Sequence, residues 1–148
     1  MKPTFSIIIP SFNQPNYIEF TFLNLVELKR QASLIGINIE VLLFDSCSNH
    51  ETQLIIEKYK FLLDVVEIEK DKGQFDAINK GILKCTGDYW TWLNTDDLID
   101  IKGFFEIVDV LELIAAAYPG HVGLLVGFVA QGSTRYFRLK LTLVISGP

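Results

Sequence analysis

The chain has 148 residues, 49% of them apolar and 21% charged, with a formal net charge of −5. That length suits one domain around a single core, and the acidic balance argues against a nucleic-acid partner, which needs a basic face. Two cysteines, Cys47 and Cys85, make neither a disulfide framework nor a zinc motif, so a reducing cytoplasm is the expected location.

Met1-Lys2-Pro3-Thr4 leads directly into a strand, without the pattern of a signal peptide. Phe5-Ser6-Ile7-Ile8-Ile9 is an apolar run closed by Pro10, as suits a parallel strand buried on both faces. Pro10-Ser11-Phe12-Asn13-Gln14 reads as a turn. Pro15 then suits the first position of a helix, whose inner face carries Ile18, Phe22, Leu25 and Val26. Gly36-Ile37-Asn38 ends that unit. Ile39-Glu40-Val41-Leu42-Leu43-Phe44 is the second strand, closed by Asp45. Ser48 with Glu51 has the spacing of a capping box and predicts a helix start near Asn49. Val65-Val66-Glu67-Ile68 is a shorter strand, placed near an edge by its charge.

Asp71-Lys72-Gly73-Gln74 is a glycine-containing turn. Phe75, Ile78 and Ile82 mark the helix after it, with Gly87 as its left-handed cap. Residues 89–93 are aromatic and β-branched, and so strand-forming. They run into Asn94-Thr95-Asp96-Asp97, whose short polar side chains stop the strand. Phe104, Ile107, Val108 and Leu111 give another helix, stopped by Pro119-Gly120. Residues 122–129 and 136–144 are strand-like. The uncharged stretch 113–134 is broken by Tyr118-Pro119-Gly120-His121, Gly123 and Gly127, so no membrane span is expected. The alternation of strands and helices implies an α/β fold: a mostly parallel sheet with helices on both faces and right-handed crossovers.

In such a sheet, ligands bind past the carboxyl ends of the strands. Four successive strand ends carry Pro10-Ser11-Phe12-Asn13, Asp45, Asp71-Lys72-Gly73-Gln74 and Asn94-Thr95-Asp96-Asp97. The paired aspartates suit a hard cation such as Mg2+ or Mn2+, which is held by one or two carboxylates plus substrate phosphates. Asp97 or Asp100 would equally serve as the cap of the next helix. Asp45 suits a ribose hydroxyl or a base N–H, or simply a loop cap. Phe12 suits stacking on a base, or the core. Gln74, Asp76 and Asn79 make an unusually polar helix start, and Lys72 there could meet a phosphate or stay solvated. No G-x-G-x-x-G follows the first strand and no G-x-x-x-x-G-K-[ST] occurs, which argues against a dinucleotide oxidoreductase and a P-loop phosphotransferase.

These four ordered motifs resemble glycosyltransferase family 2, whose fold is called GT-A, in its bacterial polysaccharide-assembly branch. The resemblance rests on residues 6–13, 40–49, 71–81 and 92–97, and covers about 5–129. It implies a Rossmann-like nucleotide-sugar-binding domain spanning 1–148, with a donor-binding half at 1–100 and an incomplete acceptor half at 101–148. It implies a nucleoside-diphosphate sugar donor, a uridine one by preference, and a saccharide or lipid-linked acceptor reached with inversion. Pro10, Ser11, Phe12, Asn13, Asp45, Gln74, Asp76, Asn94, Thr95 and Asp96 would bind the donor. Asp96 and Asp97 would hold Mn2+ or Mg2+.

Three positions depart from the family pattern. Asn94 replaces the first aspartate of its D-x-D metal motif, Cys47 stands where glycine is usual, and Phe12 where tyrosine is frequent. Inverting relatives use a later aspartate as base, and residues 130–148 contain no carboxylate. The catalytic residue is therefore unassigned, with Asp76 only a remote candidate. The alternative expectation is a truncated, non-catalytic nucleotide- and metal-binding module of the same fold. Association with the cytoplasmic face of a membrane, and a homodimer formed along an open sheet edge, complete the expectations.

Overall fold

The computed structural model describes residues 2–117, 122–129 and 138–145. In order these form β1 (Thr4–Ser11), α1 (Ile18–Leu34), β2 (Asn38–Asp45), α2 (His50–Lys58), a 3-10 turn (Lys60–Leu62), β3 (Val65–Ile68), α3 (Gln74–Lys84), β4 (Tyr89–Trp92), α4 (Ile101–Ala117), β5 (Val122–Val129) and β6 (Arg138–Ile145). The chain divides into two compact units, Met1–Leu98 and Ile99–Pro148.

The first unit is a four-stranded sheet in the order β3-β2-β1-β4, every neighbouring pair parallel. The chain steps outward from β1 to β2 to β3, then returns across the sheet to β4. Right-handed crossovers in opposite directions put α1 and α2 on one face and α3 on the other. The core agrees. Ile8, Leu42 and Phe44 are buried with Ala77 of α3. Alternation along a strand turns Ile7, Ile9, Val41 and Leu43, all buried, to the opposite face. The fold is thus the expected α/β sandwich, and strand order reverses beside β1. The register aligns Ser11 with Asp45 and Asp45 with Ile68. Leu93 N–H donates to Ile8 O at 2.9 Å, so the strand ends share one edge.

Several boundaries differ from the sequence reading, each for a local reason. β1 continues through Pro10 to Ser11. Ile8 C=O points toward β4, so Pro10, two residues on, points the same way. β4 pairs only as far as Ile8, and the missing N–H therefore interrupts no ladder. α1 begins at Ile18, three residues after Pro15, because Gln14 O accepts from both Tyr17 N–H and Ile18 N–H in a separate turn. The α2 cap is Asn49, whose Oδ1 accepts from Thr52 N–H at 3.0 Å. Ser48 is not the cap, because its hydroxyl donates to Asp45 instead. Gly87 is not a left-handed cap either. A Cβ there would lie 2.5 Å from Ser6 Oγ and 2.8 Å from Ser6 N, so the position needs glycine for close approach to β1.

In the second unit, Phe104, Val108 and Leu111 form the buried stripe of α4, and Phe104 N–H donates to Asp100 O at 2.8 Å. Asp100, rather than Asp97, therefore opens this helix. β5 and β6 pair antiparallel, from Val122 with Ile145 to Val129 with Arg138. The expected helix stop at Pro119-Gly120, His121 and the strand start at Tyr136 lie outside the described residues. Among the described residues no helix is long and apolar enough to cross a membrane.

Gly81 sets how closely α3 approaches β1. A Cβ there would meet the Ile8 side chain at 2.4 and 2.8 Å, and Ile8 is fully buried. Gly81→Ala in a helix ordinarily gains about 1 kcal/mol. Here urea unfolding should instead show a net loss of about 1–3 kcal/mol from overpacking, partly restored by Ile8→Val. A stabilised Gly81→Ala protein would show that α3 can shift freely on the sheet.

Candidate functional site

The loops at the carboxyl edge of the sheet enclose a cleft of about 630 Å³, lined by Pro10, Ser11, Phe12, Gln14, Ser46, Asp71, Gly73, Gln74, Asn94, Thr95 and Asp96. All four parallel strands contribute, and the cleft lies where the strand order reverses, as expected of a ligand site in an open α/β sheet. Phe12 is 60% exposed. A ring left that open at a cleft wall offers an apolar face to a planar ligand.

Asp45 builds the wall without facing the cleft. It is 1% exposed. Its Oδ1 accepts from Ser11 Oγ at 2.8 Å and Ser48 Oγ at 2.5 Å. Its Oδ2 accepts from Ser48 N–H at 2.8 Å and Gln53 Nε2 at 2.7 Å. Four donors saturate the carboxylate, as a buried charge requires. Asn13 plays a similar part. Its N–H donates to Ser48 Oγ at 2.9 Å and its Oδ1 accepts from Asn49 N–H at 2.7 Å, locking the loops after β1 and β2 together. Asn13 (φ 50°) and Cys47 (φ 53°) both hold left-handed backbone. Cys47 thus occupies a conformation that glycine adopts at no steric cost.

The third loop is fastened to the second: Asp71 N–H donates to Ser46 Oγ at 3.2 Å, and Gly73 N–H to Asp71 Oδ1 at 2.9 Å. Asp76 accepts from Lys72 N–H at 3.1 Å and pairs with Lys80 at 3.4 Å. The Lys72 N–H, and then Lys80, hold its carboxyl below the usual range. Asp76 is therefore a loop-fixing group away from the cleft lining, and Lys72 does not line the cleft either.

In the fourth loop, Asp97 N–H donates to Asn94 O at 3.1 Å, closing a turn. Asn94 is the hinge of its side-chain contacts. It accepts from Gln74 Nε2 through Oδ1 and donates to Asp97 Oδ2 at 3.0 Å through Nδ2. The Asp96 carboxylate is exposed and takes no hydrogen bond from the described residues. Burial raises the Asp97 carboxyl and the charge of Asp96 adds to that, against the Asn94 bond. Two like charges crowded here would be relieved by a cation. No group of three His, Cys, Asp or Glu side chains gathers among the described residues. The adjacent carboxylates of Asp96 and Asp97 fit a hard ion held by one or two carboxylates with ligand phosphates supplying the rest.

Of the residues singled out from sequence, Pro10, Ser11, Phe12, Gln74, Asn94, Thr95 and Asp96 line the cleft. Asn13, Asp45, Asp76 and Asp97 do not line it. Gln14, Ser46, Asp71 and Gly73 also line it and were not singled out as binding residues. Each lies within or beside a strand-end loop already recognised, so loop membership was the available signal.

A family model described as glycosyl transferase family 2 matches residues 6–131. A Bacillus subtilis protein named for teichuronic acid biosynthesis, the glycosyltransferase TuaG, is 30% identical over 99 residues, covering 65% of this chain and 37% of TuaG. Staphylococcus aureus TarS, a poly(ribitol-phosphate) β-N-acetylglucosaminyltransferase, is 28% identical over 99 residues, which is 65% of this chain and 17% of TarS. The chain thus spans well under half the length of these curated relatives. The crystal structure of TarS 1–349 superposes with a TM-score of 0.61 at 24% identity, covering 76% of this chain and 33% of that one, and the same fragment has been solved with UDP. The mannosyltransferase PcManGT of Pyrobaculum calidifontis, solved with GDP-Man and Mn2+, gives 0.63 at 20% identity, covering 84% and 35%. These neighbours share the GT-A fold.

The geometry separates a structural acid from an open one. Asp45→Ala strands four donors and should cost about 3 kcal/mol in thermal or urea unfolding. Asp96→Ala removes no internal bond and should stay within about 0.5 kcal/mol of the parent. Equal losses would contradict this division.

Proposed function

Because the chain belongs to glycosyl transferase family 2, we propose that its cleft binds a nucleoside-diphosphate sugar for transfer to a saccharide or lipid-linked acceptor, with inversion at the anomeric carbon. The observation that carries this reading is the open Asp96 carboxylate at a cleft shared by four parallel strand ends. An exposed ring and an unpaired acid in one cleft match the two chemistries of such a ligand, a planar base and a diphosphate that binds through a cation. The UDP and GDP-Man of the solved neighbours support a nucleotide donor, and the Mn2+ of one supports a divalent ion.

In this reading Phe12 lies against the base. Ser11 and Ser46 form the wall beside it, joined by the Ser46 N–H donating to Ser11 O at 2.9 Å, with the Ser11 hydroxyl bonded to Asp45. Asp96 holds Mn2+ or Mg2+, with Asp97 as the second carboxylate, steadied by Asn94. The ion, when bound, supplies a Lewis acid toward the charge that develops on the leaving diphosphate. Gln74 and Asn94 present amides to the same space and orient polar groups of the donor. The acceptor hydroxyl must lose a proton to a base, a role assigned to none of the described residues. A lipid-linked acceptor would place the work at the cytoplasmic face of a membrane.

One observation favours a second reading, a module that binds nucleotide and ion without transfer. Among the described residues the cleft carries only two carboxylates, Asp71 and Asp96, and Asp71 is engaged by the Gly73 N–H. Calorimetric titration of UDP and GDP with and without Mn2+, with sugar release followed in parallel from the matching donors, separates the two. Transfer requires Mn2+-dependent binding together with release. Binding without release selects the module. Absence of Mn2+-dependent binding in folded protein would reject both. Asp96→Asn should weaken the Mn2+-dependent binding at least about tenfold, the scale on which metal sites respond to lost partners.

A further inference from the structure

Thr21 sits in the first turns of α1 and is completely buried. A helical threonine usually returns its hydroxyl to the carbonyl four residues back. Here that carbonyl, Tyr17 O, already accepts from Phe20 N–H at 3.0 Å and Thr21 N–H at 3.4 Å. The Thr21 hydroxyl instead reaches 74 and 76 residues along the chain, to Thr95 O and Asp97 O, each at 2.9 Å. One proton is thus shared between two carbonyls that bracket Asp96. The 95–96 peptide, just before the open carboxylate, and the 97–98 peptide, one residue beyond it, are held by a single side chain.

We propose that Thr21 is a positioning residue for the 94–97 turn, fixing the backbone from which Asp96 projects into the cleft. The turn lies beyond the end of β4, so it has no strand ladder to hold it. Its own bonds are one backbone contact, Asp97 N–H to Asn94 O, and the Asn94–Asp97 side-chain contact. Asn94 braces the front of the turn and Thr21 the back. α1 carries the brace because its buried face lies on the sheet, where a displaced side chain would disturb the core. This inference rests on the reading of Asp96 as the acid that meets an ion and a diphosphate. A group that must meet both gains from being held in place before they arrive, and small displacements at such a position have large effects.

The test compares Thr21→Val, which keeps the shape and removes the donor, with Thr21→Ser, which keeps the donor. Leu28→Ala, elsewhere on the buried face of α1, is the control for a loss of stability alone. Without ligand, the carbonyl carbon signals of Thr95 and Asp97 should shift in Thr21→Val, and exchange of the Asp97 amide should accelerate. Thr21→Ser should match the parent. With UDP, the Mn2+ concentration giving half of the binding enhancement should rise about tenfold in Thr21→Val, and stay within twofold of the parent in Thr21→Ser and Leu28→Ala. Unchanged carbonyl signals and Mn2+ requirement in Thr21→Val would overturn the proposal, as would an equal rise in Leu28→Ala. If Thr21→Val does not fold, the hydroxyl proton of Thr21 in the parent decides. A slowly exchanging signal close to the 94–97 turn supports the brace, and a freely exchanging one removes it. If the parent shows no Mn2+-dependent UDP binding, the reading of the site fails, while the ligand-free signals still show whether Thr21 holds the turn.

Discussion

A carboxylate in an interior must be answered by donors, because an unpaired charge there costs several kcal/mol. Asp45, at 1% exposure, imposes that demand at the carboxyl edge of the sheet. Its answers come from three places: Ser11 at the end of β1, Ser48 in the loop after β2, and Gln53 in α2. Meeting the demand fixes the spatial relation of all three. The loop after β1 cannot move from the loop after β2 without taking from Asp45 one of its four donors. Asn13 and Asn49 then tie the same loops at their exposed side, and Ser46 carries the tie onward to Asp71. The rim of the cleft is thus built by a relay of short polar side chains that begins at one buried acid.

The acids of this edge divide by what surrounds them. Asp45 is saturated, Asp76 is taken by Lys72 and Lys80, and Asp97 is held by Asn94. Asp96 alone among these four points its charge where the protein supplies no donor. Sheet topology selects which acid is left open. β4 is the strand beside which the order reverses, so its terminal loop borders the crevice. The loop after β2 is flanked by other loops on both sides. The same residue type at two strand ends therefore does two different things.

Much of this was legible in the sequence. Apolar runs such as 5–9 and 39–44, each followed by a helical stripe, encode the parallel sheet through their periodicity. The strand-end loops are legible because glycine, proline, asparagine and aspartate have local reasons to be there. Two kinds of feature were not legible. One is the direction a polar side chain takes. Asp45 suits a ligand contact or a loop cap equally well from sequence, and only the positions of Ser11 and Gln53, 34 and 8 residues away, settle that it faces inward. The other is close approach. Gly87 resembles a helix cap by its place after Lys84, whereas its glycine is required by the backbone of β1, more than 80 residues earlier. Both are properties of tertiary contact, which periodicity does not carry.

Asn94 shows how the acidic turn is kept in shape. An amide can accept and donate at once, and here it accepts from Gln74 and donates to Asp97. It thereby links the first turn of α3 to the loop after β4 across the cleft. A carboxylate at the same place could take the Gln74 bond but would have no proton for Asp97, and would add a third charge beside Asp96 and Asp97. Such a turn would depend on a cation for its conformation as well as its neutrality. With an amide, Asp97 has a donor within the turn, while Asp96 has none among the described residues. The amide at position 94 thus lowers the charge of the turn while supplying the proton that Asp97 accepts, and leaves Asp96 exposed on a turn closed by its own bonds.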